Sequence, residues 1–217
     1  APSLSKLDLL AKGTGAVIYD EGGNELQTLS TSSEQKEYVK LDKIPACVQY
    51  AFVAAVDSRF YEHKGVDLSA IFQEFVDDLS EKDQVKSTST ITQQLLRNQV
   101  IWKGNGSSVY EKITRKIQEQ YLAVQLEQKL DKEQILEYYL NTINLGQNAI
   151  GVQNASMRYF NKDISQLSIS EAAVLAGTQQ NPTDDNPITN PENNSEQRKK
   201  VLKAIKIIFQ KRIMKMH

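Results

Sequence analysis

The sequence is poor in the residues that hold metals, disulfides and membrane spans. Its 217 residues include one cysteine, Cys47, and two histidines, His63 and His217. A single thiol excludes a disulfide framework, and so few imidazoles and thiols leave no metal-ligand spacing. No apolar run approaches the roughly 18 residues that a membrane-spanning helix needs. The chain opens on Ala1-Pro2, without the basic-then-apolar pattern of a signal peptide and without methionine, as expected of a processed or truncated chain. Its ten glycines form neither the dinucleotide nor the P-loop fingerprint. No nucleophile elbow accompanies His63, so a serine or cysteine triad has no support.

What is present is ordinary globular material, with 40% apolar and 24% charged residues, enough for one domain with a sizeable core or for two small lobes. The net charge of −1 conceals an asymmetry. Arg198 to His217 holds eight basic residues and no acidic one, leaving 18 of the 26 basic residues against all 27 acidic ones elsewhere. An acidic body of this kind offers no footprint for nucleic acid. In the tail, Val201, Ala204, Ile205 and Ile208 share a stripe, with Lys199, Lys203, Lys206 and Lys211 mostly off it. That pattern fits a final helix docked on the core or one facing an anionic surface.

Along the chain, Ala16 to Tyr19 and Leu26 to Leu29 are strand-like runs around a turn at Asp20 to Asn24, a hairpin. Helical periodicity follows. Pro45 and the stripe Val48, Ala51, Phe52, Ala55 and Val56 predict a helix to about Arg59. Leu68, Ile71, Phe72, Phe75 and Leu79 form a second stripe. Ser89 or Thr90 caps a third helix through Asn98, and a fourth carries Ile113, Ile117, Tyr121 and Val124 on one face. Asp131 with Gln134, and Ser168 with Glu171, are capping boxes. Asn181-Pro182 and Asn190-Pro191 mark turns. Glu81 to Lys86 and Gln99 to Ser108 read as loops, the second with Val100, Ile101 and Trp102 as a membrane-contact patch or a pin to the core. The fold class is mainly α with a small N-terminal β-hairpin.

Three polar clusters are candidates for chemistry. Lys112, Arg115, Lys116 and Glu119 share one face of the fourth helix, where three cations around a carboxylate suit an anion such as a diphosphate, or form a solvent-facing ion-pair ladder. Ser89 to Gln94 gathers hydroxyls and two amides at a helix start, suited to sugar hydroxyls or phosphate oxygens or simply to capping. Asp57, Arg59, Phe60, Tyr61, His63 and Gly65 crowd a helix end and turn.

Together these clusters resemble the family 51 peptidoglycan glycosyltransferases, found in class A penicillin-binding proteins and monofunctional transglycosylases. Val56 to Gly65 is similar to E-D-x-x-F-x-x-H-x-G, Ser89 to Gln94 reproduces S-T-I-T-Q-Q, Arg115 to Glu119 fits R-K-x-x-E, and Ile135 to Asn141 with Gly146 fits I-L-E-x-Y-L-N followed by glycine. The likeness covers roughly residues 15 to 205. It continues through Tyr159-Phe160, Glu171 to Gly177, Asn190-Pro191-Glu192, Arg198 and Val201-Leu202.

The resemblance implies a lysozyme-like, two-lobed helical domain, with an N-terminal extension over residues 1–40, the glycosyltransferase domain over 41–205 and a basic helix end over 206–217. It implies polymerisation of lipid II onto a nascent glycan strand. The C4 hydroxyl of one sugar attacks the anomeric carbon of the growing chain, and undecaprenyl diphosphate leaves with inversion. It assigns Ser89, Gln93, Gln94, Arg97, Arg115 and Lys116 to the donor diphosphate, Arg59 and His63 to the acceptor side, and Glu119 to the catalytic set.

The slot of the family's catalytic glutamate holds Val56, which can neither take a proton nor hydrogen-bond an acceptor. Losing a general base costs about 10²- to 10⁴-fold in rate. Asp57 is the nearest carboxylate, but a neighbour on a helix points about 100° away; Glu62 is the other candidate. The expected glycine pair before S-T-I-T-Q-Q is Ser87-Thr88, the expected lysine after it is Arg97, an expected arginine is Glu111 and an expected lysine is Gln118. Two further readings stand beside the polymerase: a non-catalytic lipid II or glycan-strand binding module, and a lysozyme-like hydrolase, which lacks its acid. The resemblance also implies an extracytoplasmic location at the bacterial membrane surface, an upstream membrane anchor, and a downstream transpeptidase domain or other cell-wall synthesis partners. A divalent cation such as Mg is a candidate aid to the diphosphate.

Overall fold

A computed structural model of the protein describes residues 16–19, 25–29, 37–79, 89–99 and 108–214. Strands β1 (Ala16–Tyr19) and β2 (Glu25–Leu29) pair antiparallel, with Ala16 opposite Leu29 and an irregularity at Ile18/Tyr19. The turn expected between them lies outside the described residues. The rest is helical: α1 (Ala46–Val56), α2 (Leu68–Leu79), α3 (Ile91–Gln99), α4 (Val109–Leu126), α5 (Lys132–Thr142), α6 (Val152–Phe160), α7 (Ile169–Thr178) and α8 (Pro191–Met214). Short 3-10 turns occur at Leu41–Lys43 and Ile164–Gln166. This is the mainly helical architecture that the patterning predicts.

The elements follow from local chemistry. Asp131 and Ser168 each accept a hydrogen bond from the backbone of the third helical residue, while the side chains of Gln134 and Glu171 accept one from the backbone N–H of the cap, so α5 and α7 start on the expected capping boxes. Each such cap stabilises its helix by about 1 kcal/mol. Pro191 opens α8, whose apolar stripe is buried at Val201 and Ile205. α8 packs on α7 and α1, α7 packs on α1, and α3 lies against α4 and α5. Phe52 of α1 meets Tyr139 of α5 edge-to-face at 6.4 Å, both fully buried. Burying each such ring is worth about 2 to 3 kcal/mol.

Three expectations change. α1 stops at Val56, not near Arg59, because Asp57 leaves helical geometry (φ −154°, ψ 75°) and its side chain is taken by other segments. On α2, Leu68 and Phe72 are exposed, so the start of that stripe does not face the core. On α4 the stripe Ile113, Ile117, Tyr121 and Val124 is exposed, and the core takes Glu119, Leu122, Ala123 and Leu126 from another face. α8 runs through Ile205 without a break. The loops expected over 81–86 and within 100–107, with Val100, Ile101 and Trp102, lie outside the described residues, as do the side chains of Phe75, Leu79 and Lys211. Among the described residues, no helix is long and apolar enough to cross a membrane.

Candidate active site

The end of α1 organises the site. Val56, its last residue, is half-buried and packs against the core cluster. The next side chain, Asp57, is buried. His63 Nε2 lies 3.0 and 2.9 Å from its two oxygens, and the backbone N–H of Ile91, first residue of α3, donates to Oδ2 at 3.0 Å. Asp57 therefore joins the end of α1, the following turn and the start of α3. His63 Nδ1 is buried without a partner.

The turn is pinned twice more. Thr90 Oγ1 donates to the carbonyl of Gly65 at 2.7 Å. Gly65 sits at φ +89°, and a Cβ there would come within 2.5 Å of the Ala123 carbonyl carbon on α4. Only glycine adopts that conformation at such an approach. Arg59 forms a two-point ion pair with Asp67, at 2.9 Å from Nε and 2.8 Å from Nη2, and Asp67 also accepts from the N–H of Ala70. Asp67 is the N-cap of α2. Sequence reading missed it, although an aspartate just before an apolar stripe is a start signal. Glu62 is exposed. Arg59, His63, Lys64 and Asp67 face Ile117, Tyr121 and Val124 of α4 across a groove of about 750 Å³.

At the start of α3 the polar residues divide their labour. Thr90 and Gln93 cap the helix reciprocally: Gln93 Oε1 accepts from the Thr90 N–H at 2.9 Å, and Thr90 Oγ1 from the Gln93 N–H at 3.2 Å. Gln93 Nε2 remains buried without a partner. Gln94 Oε1 accepts from Tyr139 Oη at 3.1 Å and Gln179 Nε2 at 2.6 Å, while its Nε2 donates to the Ser89 carbonyl. Burial, then the charge of Asp57, pushes the Tyr139 phenol well above its usual range, so it stays a donor.

With Thr90 as the cap, the Ser89 hydroxyl is released for another use. Arg97 Nη2 and Lys116 Nζ both donate to Ser89 Oγ at 2.7 Å. Arg97 also donates from Nε and Nη2 to the two oxygens of Glu119, at 3.0 and 2.8 Å, and Lys116 Nζ stands 3.6 Å from Glu119 Oε1. The carboxylate is covered, with 2% of its side chain exposed, whereas Arg97 and Lys116 keep 41% and 42%. Its hydrogen bond raises the Arg97 pKa and fixes the positive charge. Arg115 is exposed and makes no ion pair among the described residues. Glu111 closes a capping box with Ser108 at the start of α4, so this reversed charge serves the helix terminus. Ser87-Thr88 lies outside the described residues.

Two cations are thus held beside a hydroxyl over a covered carboxylate. A family model described as transglycosylase matches residues 22–206. The chain belongs to the transglycosylase family. Relatives include penicillin-binding protein 1A of Clostridium novyi (strain NT), 38% identical over 187 residues, 84% of this chain and 21% of that protein. Penicillin-binding protein 1A/1B of Bacillus subtilis (strain 168) is 37% identical over 207 residues, 95% of this chain and 22% of that protein. Penicillin-binding protein 1A of Clostridium perfringens (strain 13 / Type A) is 41% identical over 187 residues, 84% of this chain and 26% of that protein. The chain thus spans about a quarter or less of the curated relatives it matches. Among the described residues of this transglycosylase-family chain, no group of three or more His, Cys, Asp or Glu side chains could hold a metal ion.

Proposed function

We propose that the chain is a peptidoglycan glycosyltransferase domain that acts on lipid II at the outer face of a bacterial cytoplasmic membrane, next to further cell-wall synthesis domains or proteins. The cluster of Ser89, Arg97, Lys116 and Glu119 supports this reading most directly. Arginine and lysine have donors only, so Ser89 Oγ accepts from both, and its own proton is used by neither. The cluster gathers two cations and a hydroxyl at one place, which suits the oxygens of a leaving diphosphate. Arg115, one residue along α4, adds exposed positive charge.

Transfer requires the acceptor hydroxyl to lose its proton as the bond from the anomeric carbon to the diphosphate breaks. The slot of the family's base is Val56, and both oxygens of Asp57 already accept hydrogen bonds. That observation favours a second reading, a lipid II-binding domain that holds the donor but does not extend the strand.

Lipid II polymerisation by the wild type and by Val56→Glu decides between them. Strands from the glutamate variant alone identify a binding domain whose scaffold still accepts the base. Strands from the wild type at a comparable rate refute that reading and direct the search for a base to Glu62. Lys116→Ala is expected to weaken lipid II binding by about tenfold, the worth of one charge-assisted contact; unchanged affinity refutes the donor-side assignment.

A further inference from the structure

The donor-side cluster, if it binds diphosphate as proposed above, also specifies whether a divalent cation joins it. A magnesium ion bridging protein and phosphate needs oxygen lone pairs at about 2.1 Å, normally from one or two carboxylates. Among the described residues, Glu119 is the one carboxylate that the cluster contains. Arg97 bonds both of its oxygens, Lys116 stands 3.6 Å from Oε1, and its side chain is 2% exposed. The other oxygen, Ser89 Oγ, accepts from both cations and so has both lone pairs filled. A dication seated on either oxygen would stand beside two fixed positive charges. Glu111 does not offer a replacement, because it is spent on the α4 capping box.

These donors do not fit a bridging divalent cation. We propose that the cluster is a metal-free anion site, and that Arg97 makes it so by engaging both oxygens of Glu119. The planar guanidinium is essential to this role, since it meets a carboxylate at two points. A lysine is a point charge that engages one oxygen and leaves the other open to a metal. Diphosphate therefore enters without a bridging metal and is held by Arg97, Lys116 and the Ser89 hydroxyl, with the charge of Arg115 nearby.

The test is calorimetric titration of the whole chain with inorganic diphosphate, in EDTA and in magnesium, for the wild type and for Arg97→Lys. Magnesium also chelates free diphosphate, but equally for both proteins, so the ratio of their responses isolates the site. The wild type is expected to bind fully in EDTA and to gain nothing from magnesium. Arg97→Lys is expected to gain at least about threefold relative to wild type when magnesium replaces EDTA. Wild-type binding that tightens about tenfold with magnesium overturns the inference and leaves the donor site standing as a metal-bridged one. An identical response from Arg97→Lys overturns the role given to Arg97. No wild-type binding in either buffer refutes the donor-site reading itself, and the metal-free inference with it. Glu119→Gln gives an independent sign: removing a metal-holding carboxylate lowers affinity in magnesium, whereas removing a negative charge from an anion site does not.

Discussion

Replacing Asp57 distinguishes a structural tie from a reacting carboxylate. Asp57→Ala removes the acceptor of the Ile91 N–H at the start of α3 and the partner of His63 Nε2. The site is closed, with Asp57 6% exposed, so water cannot replace the lost bonds without rearrangement. Each buried donor left unpaired costs about 1 to 3 kcal/mol. For the two donors the sum is roughly 2 to 6 kcal/mol, a large share of the 5 to 15 kcal/mol that stabilises a typical domain. Urea unfolding is expected to show the midpoint falling by about 2 M with little change in slope. Asp57→Asn is gentler. Its Oδ1 keeps the bond to Ile91 and its Nδ2 donates to His63 in the other tautomer, for a loss of about 1 kcal/mol. Strand formation by this variant, compared with the chain that keeps Val56, should fall less than about tenfold. A fall of 10²- to 10⁴-fold with stability retained is what loss of a general base produces; that outcome, or an Asp57→Ala loss below about 1 kcal/mol, refutes the tie.

Three further outcomes follow from the packing. Gly65→Ala forces a Cβ to within 2.5 Å of the Ala123 backbone at φ +89°, and should destabilise by more than about 2 kcal/mol in the same unfolding assay. Ile117→Ser should stay within about 0.5 kcal/mol of wild type because the side chain is exposed, whereas Leu122→Ala, in the core, should lose about 2 to 5 kcal/mol; the reverse order would refute the α4 face. Hydrogen bonds from Lys162 and from Ser168 hold the Glu171 carboxyl down at about 2. A depressed carboxyl stabilises the fold above its unfolded value, and that stability is lost as pH falls toward 2. Glu171→Gln should therefore cost about 1 kcal/mol at neutral pH, given the partial exposure of the pair, and nothing near pH 2; a pH-independent difference refutes the coupling.

The elements of this fold were legible because most of them rest on local signals. The capping boxes at Asp131 and Ser168 and the docked stripe of α8 are built from residues three or four positions apart. α4 shows where such reading stops. Its two faces each carry apolar residues, and the stripe Ile113, Ile117, Tyr121 and Val124 is the more regular, yet the buried face includes Glu119. A carboxylate is buried there because Arg97 arrives from α3, 22 residues earlier in the chain, and no local period encodes that pairing. Asp57 is similar. Its neighbours in sequence suggested a stand-in base, but its partners lie six and 34 residues away. The release of Ser89 from capping was likewise open in the sequence, which offers Ser89 and Thr90 equally; the bond from Thr90 to Gly65 and the reciprocal bonds with Gln93 settle it.

The substitutions that set this chain apart from the family pattern separate by function. Arg97, in place of a lysine, holds Glu119 at two points and Ser89 with the same guanidinium, which suits the proposed donor side. Glu111, in place of an arginine, removes one positive charge from α4 and returns a capping box to its start. Val56 stands in the slot where the family pattern has its base, at a position where valine packs against the core. None of these changes loosens the tie between the end of α1 and the start of α3, since Asp57, His63, Gly65 and Thr90 keep their mutual bonds. On the proposed function, binding and proton abstraction fall to separable residues, and Val56→Glu tests the second without touching the first. The inserted carboxylate lies beside Asp57 and at the negative end of α1, so it should cost about 1 kcal/mol in stability. A variant that keeps wild-type diphosphate affinity and gains strand synthesis supports the separation. One that gains synthesis only by changing diphosphate affinity shows the two sides to be coupled and refutes it.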